Sequence, residues 1–127
     1  MINYKVYLEN VLMESIDSLF NEELQKTAWE KRNYKAYADY TEVIMSFLED
    51  CEPVLKDYRK YGLSEKQHDD LQKLCSMINI YDSSQNRPDA DEEICKDPEW
   101  HKIREFAKVV YNDLKNVKYI PDEKNPK

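Results

Sequence analysis

Gly62 is the only glycine in a chain of 127 residues, where average usage is about 7%. Glycine supplies the positive φ angles of tight hairpin turns and lets the backbone close on a phosphate. The lone glycine therefore argues against hairpin-rich β folds and glycine-loop nucleotide sites, and all-α is the natural class. The length is that of one domain. Charged residues make up 35%, but 41% hydrophobic residues, with ten tyrosines and two tryptophans, supply material for a core. The expected architecture is all-α: a single-domain bundle of four to five helices over residues 1–117, followed by a flexible tail at 118–127.

The strongest helical signal lies at 34–55. Tyr34, Tyr37, Ala38, Thr41, Ile44, Met45, Leu48, Cys51 and Leu55 recur at steps of three and four, which puts them on one helix face. Lys35, Asp39, Glu42, Glu49 and Asp50 lie on the other. Before it, Tyr4, Leu8, Val11, Leu12, Ile16, Leu19 and Phe20 predict a first helix ending near Asn21. Asn21 followed by two glutamates is an N-cap signal. No glycine or proline intervenes before Pro53, so residues 21–55 read as one long helix or as two. Pro53 is expected to turn the chain near Glu52. Gly62 then predicts a left-handed C-cap, and Ser64 with Gln67 a capping box opening a new helix, with Leu71, Leu74, Cys75, Ile78 and Tyr81 on its buried side. Asp97-Pro98 predicts the start of a last helix, with Ile103, Ala107, Val110, Tyr111 and Leu114 on its apolar face.

Between these helices, residues 82–97 lack periodicity and read as a surface loop. Six acids (Asp82, Asp89, Asp91, Glu92, Glu93, Asp97) face two bases (Arg87, Lys96) there, a balance of −4 in a chain whose net charge is −7. Such a surface disfavours direct nucleic-acid binding and steers a basic protein inward. Tyr81 sits just before the acidic stretch and Trp100 just after it, and both residue types dominate interface energies. Tyr81, Asp82, Asp89, Asp91, Glu92, Glu93, Asp97 and Trp100 are the predicted partner-binding set. A second candidate contact is the tyrosine group Tyr34, Tyr37 and Tyr40, which suits a helical adaptor or regulatory subunit.

Catalytic motifs are poorly represented. Glu65 and His68 form one Glu-x-x-His, half of the di-iron bundle pattern, but His101 has Pro98 three residues before it and supplies no second half. A small helical metalloenzyme around Glu65 and His68 is the third reading. His68-Asp69 matches only the two-letter core of the HD phosphohydrolases, and Arg59 stands too far from His68 for the motif of the HEPN ribonucleases. Cys51, Cys75 and Cys95 have no zinc-ligand spacing and no Cys-x-x-Cys, which fits buried reduced thiols. No apolar run reaches the roughly 18 residues of a membrane span and no secretory signal is evident. The expectation is a cytoplasmic binding protein that is not an enzyme and has no metal, cofactor or membrane partner.

In size, acidity, helicity and aromatic content the whole chain resembles the small immunity proteins of bacterial toxin systems, such as contact-dependent growth inhibition. That resemblance implies an inhibitor of one cognate toxin, often a basic nuclease, whose active site it covers with acidic groups that mimic phosphates. In this reading Asp89, Asp91, Glu92 and Glu93 meet the toxin's basic groups.

Overall fold

The computed structural model describes residues 3–31, 38–115 and 117; Tyr34, Tyr37 and the tail 118–127 lie outside them. Helix α1 (residues 4–20) opens where the Asn3 side chain accepts the Val6 N–H. Over Leu8–Leu12 it widens to a π-helical turn, the Met13 N–H reaching five residues back to the Leu8 carbonyl, and α geometry resumes over Met13–Phe20. Leu8, Leu12, Ile16 and Leu19 are buried along it, as the spacing predicts.

Asn21 caps helix α2 (residues 22–30) by accepting the Leu24 N–H. This helix also ends in a π turn, Lys26–Glu30, which buries Ala28 and Trp29. It stops at Lys31 (φ −92, ψ −3), and helix α3 (Tyr40–Lys56) starts afresh. The described residues of 21–55 thus lie in two helices, the second of which starts where Asp39 takes an extended conformation and accepts the Glu42 N–H at 2.8 Å.

The buried face of α3 is also rotated from the expected one. It is formed by Tyr40, Val43, Ile44, Phe47, Cys51 and Val54, while Thr41 is exposed and Met45 is 48% exposed. Two overlapping i, i+3/i+4 series run through this helix. The one containing the tyrosine, phenylalanine and two valines buries more apolar surface and wins. Pro53 lies in the last turn without ending the helix, so the chain turns at Asp57 (φ −129, ψ 43) and not at Glu52.

A 3₁₀ turn, Tyr58–Tyr61, leads into Gly62 at φ 85. The Gly62 N–H donates to the Arg59 carbonyl and the Leu63 N–H to that of Tyr58, the paired bonds of a Schellman cap. Only glycine takes this angle without cost, and the chain's single glycine is placed here. Ser64 then opens helix α4 (Glu65–Ser83) with a complete capping box. Leu71, Leu74, Cys75, Ile78 and Tyr81 form its buried side as expected.

The predicted loop at 82–97 is corrected at both ends. Helix α4 runs on to Ser83, and a short helix α5 (Asp91–Lys96) forms inside the acidic stretch. Asp91, Glu92 and Glu93 occupy its first turn, where the helix dipole favours negative charge; Ile94 and Cys95 anchor it in the core. Helix α6 (Pro98–Leu114) follows, with Asp97 accepting the Glu99 N–H and Pro98 at the first position.

No strand occurs among the described residues, and the protein is an all-α bundle. Helix α6 packs against α1 and α4, α1 also against α3, and α5 against the wide turn of α2. These contacts enclose one contiguous core.

Candidate functional site

The predicted anchors do not reach the surface. Trp100 is 0% exposed and Tyr81 7%. Together with Trp29 and Tyr40 they form an aromatic box in which the Tyr40 ring meets Trp29 and Trp100 edge-on, at centroid separations of 6.1 and 5.3 Å. Burial of Tyr40 also removes the described member of the alternative tyrosine contact. Large aromatics beside an acidic run read equally well as a core wall or as an interface edge, and here α5 and α6 close over them.

Half of the predicted acids bond to the box or the helix start beside it, Asp82 while itself exposed. Asp82 accepts from the Tyr40 hydroxyl at 2.9 Å and Asp97 from that of Tyr81 at 2.7 Å. Burial, and then these carboxylate partners, push both phenol pKa values well above the ordinary value. Asp91 accepts the Tyr40 backbone N–H, one of the unpaired donors at the start of α3. Arg87 folds back too, its guanidinium 5.1 Å over the Tyr40 ring and its Nε donating to the Asp82 carbonyl. Asp89 and Glu93 are exposed and Glu92 half-buried.

Beneath the box lies a polar lock without counterpart in the sequence reading. Gln25, fully buried, accepts from Trp100 Nε1 and Arg104 Nη1, both at 3.1 Å, and donates to the Ser18 and Leu19 carbonyls. Arg104 also donates to the Cys95 carbonyl at 2.8 Å. Neutral acceptors thus hold a buried guanidinium, and Nε has no partner among the described residues. Burial pushes the Cys95 thiol pKa up while Arg104 pulls the other way.

The open acidic feature lies elsewhere. Helices α1 and α3 flank a groove of about 400 Å³ lined by Asn10, Glu14, Ser15, Ser18, Glu42 and Asp50, with Val11, Ala38, Val43 and Ser46. Asn10 and Val11 belong to the π turn of α1. Glu14 and Glu42 are exposed. Asp50, half-buried, accepts from the Ser15 hydroxyl, and its carbonyl accepts from Tyr7 Oη at 2.7 Å. Burial first, then the nearby Asp50 carboxylate, raise the Tyr7 pKa to about 12. No ion pair among the described residues engages Glu14, Glu42 or Asp50.

Seven acids on α1 and α3 (Glu9, Glu14, Asp17, Glu42, Glu49, Asp50, Glu52) face only Lys5 and Lys56, a larger imbalance than that of residues 82–97. Three of them, Glu14, Glu42 and Asp50, line the groove, and a concave acidic surface concentrates the field felt by an approaching cation. Its signal was present as two polar stripes at steps of four, Asn10/Glu14/Ser18 and Glu42/Ser46/Asp50. Nothing in the sequence alone shows that the stripes face each other.

The remaining candidates do not assemble. His68 contacts Asp69 and the Tyr58 ring, and among the described residues no three His, Cys, Asp or Glu side chains converge as metal ligands. No helix among the described residues is long and apolar enough to cross a membrane. No protein-family model, curated protein or solved structure matches the chain.

Proposed function

We propose that this chain is a binding protein of the immunity type, which neutralises a basic cognate toxin by covering its active site with carboxylates. The observation that carries the reading is the α1/α3 groove, where Glu14, Glu42 and Asp50 line a polar concavity with no Lys or Arg among its described lining residues. A lysine or arginine side chain entering it meets charge-assisted acceptors at its walls. The exposed acids of α5 and its approach, Asp89 and Glu93, form a second patch that adds long-range steering. Tyr81 and Trp100 act from inside, holding the segment that carries these acids.

The test is co-expression with the toxic C-terminal domain of a secreted protein encoded beside this chain, followed by affinity measurements over a salt series. The reading expects rescue of growth and an affinity that falls as salt rises. Paired substitution Glu14→Lys with Glu42→Lys is expected to weaken binding at least about tenfold at low salt and to flatten the salt dependence. Unchanged affinity in this folded variant, with loss in Glu92→Lys/Glu93→Lys instead, would move the docking surface to α5. Absence of rescue together with salt-independent binding would remove the immunity reading.

A further inference from the structure

Cys51 on α3 and Cys75 on α4 are separated by 24 positions in sequence, yet their sulfurs stand 2.9 Å apart. That is within about 0.9 Å of the roughly 2.05 Å of a disulfide bond. Both cysteines are free, with residue exposures of 1% and 9%. Cys95, the third, sits against Arg104 with its sulfur 3.8 Å from Nη1. One pair of thiols is therefore aligned across a helix interface, and the remaining thiol is held elsewhere.

We propose that Cys51 and Cys75 form a redox-active dithiol site, which a hydroperoxide-class oxidant converts to a disulfide joining α3 to α4. The two thiols do not share their protons equally. The hydrogen bond between them holds the Cys51 thiol protonated, reinforced by burial, and pulls the Cys75 pKa down. Cys75 is also the more accessible of the two, and the thiolate is the form that reacts.

In the first step the Cys75 thiolate attacks the terminal peroxide oxygen. The O–O bond breaks, an S–O bond forms, and the alkoxide (hydroxide in the case of hydrogen peroxide) leaves and takes up a proton to become the alcohol (or water). In the second step Cys51 sulfur attacks the resulting sulfenic acid. The S–S bond forms, the S–O bond breaks, and the Cys51 proton leaves with the hydroxyl as water. Two thiols are oxidised, and one hydroperoxide is reduced to water and its alcohol, or to two waters for hydrogen peroxide.

The product closes a loop containing the Gly62 turn and the Ser64 capping box. It also fixes the residue next to Asp50, the inner acid of the groove. The site does not depend on the proposed partner, so the two readings fail separately.

The experiment uses the full chain, reduced, freed of reductant and treated with hydrogen peroxide. Thiols are then counted by alkylation under denaturing conditions, with peptide mapping. The expected result is loss of two of the three thiols, a mass lower by the two hydrogens of a disulfide, and a linked peptide pair containing Cys51 and Cys75. Cys95 remains alkylated. Melting temperature should rise by roughly 5–10 °C and return on reduction. Cys95→Ser should behave as the parent, while Cys75→Ser should give no intramolecular link. Retention of all three thiols, or a link through Cys95, overturns the proposal. If Cys75→Ser fails to fold, the map of Cys95→Ser still decides, since only one pair is then available and an unlinked product refutes the site.

Discussion

The two acidic regions of this protein use the same residue type in opposite ways. Around 82–97, Asp82, Asp91 and Asp97 accept hydrogen bonds from Tyr40 and Tyr81, so charge there helps seal an aromatic box. Along α1 and α3, Glu14 and Glu42 stand at the rim of an open groove. A carboxylate count hardly distinguishes the regions, whereas the donors each carboxylate meets separate a structural wall from a docking surface.

The contrast breaks most visibly at Trp100. Trp100→Ala empties the centre of the box and is expected to cost about 3–5 kcal/mol, read as a lower urea midpoint. Next comes the lock beneath it. Gln25→Leu strands Trp100 Nε1 and leaves the Arg104 guanidinium with one fewer acceptor, for an expected loss of about 2–4 kcal/mol. Adding Arg104→Met should recover part of that loss, because an apolar pair no longer leaves a buried charge underserved. A double mutant as unstable as the sum of the two single changes would show that the lock acts through packing alone. Tyr81→Phe removes one hydroxyl while keeping the ring, and about 1 kcal/mol is expected.

At the groove the expected effects on stability are smaller and depend on pH. Tyr7 keeps its proton in the folded state to about pH 12, whereas the unfolded chain releases it near pH 10. Its contribution is therefore complete below pH 10 and falls away as pH rises to 12. Tyr7→Phe should flatten that part of the alkaline stability profile. Glu14→Gln and Glu42→Gln are expected to change stability by no more than about 0.5 kcal/mol. A larger loss in either would place that carboxylate among the structural acids and blur the contrast.

Helix boundaries were legible where one or two adjacent residues encode them. Asn21 as a cap, Gly62 with Ser64, and Asp97 with Pro98 all act through bonds to their immediate neighbours, so local chemistry suffices. The face of α3 was misread because Met45 and Phe47 both satisfy a helical step, and only the surrounding helices decide which is buried. Helix α5 was missed because a six-residue acidic segment has too few apolar positions to show a period. Its helicity depends on Ile94 and Cys95 reaching a core built by other segments. The Gln25–Arg104 lock, the Ser15–Asp50 bond across the groove and the Cys51–Cys75 pair join residues 24 to 79 positions apart, and the aromatic box gathers side chains from four different helices. No local pattern encodes those meetings.

The π turn of α1 gives that helix an unusual tolerance to changes in length. In Leu8–Leu12 the bond from Met13 spans five residues, so the stretch covers about the rotation that four residues cover in α geometry. The helix carries one residue more than its orientation requires. Deleting Asn10 would let the segment close into an ordinary turn, with Tyr4 and Tyr7 still against Tyr61. The same deletion made within Met13–Phe20 would swing everything before it by about 100°. Insertions and deletions in this helix are thus unequal events: the chain holds its spare residue at the wall of the groove, where a change in length reshapes the opening without disturbing the packing on either side.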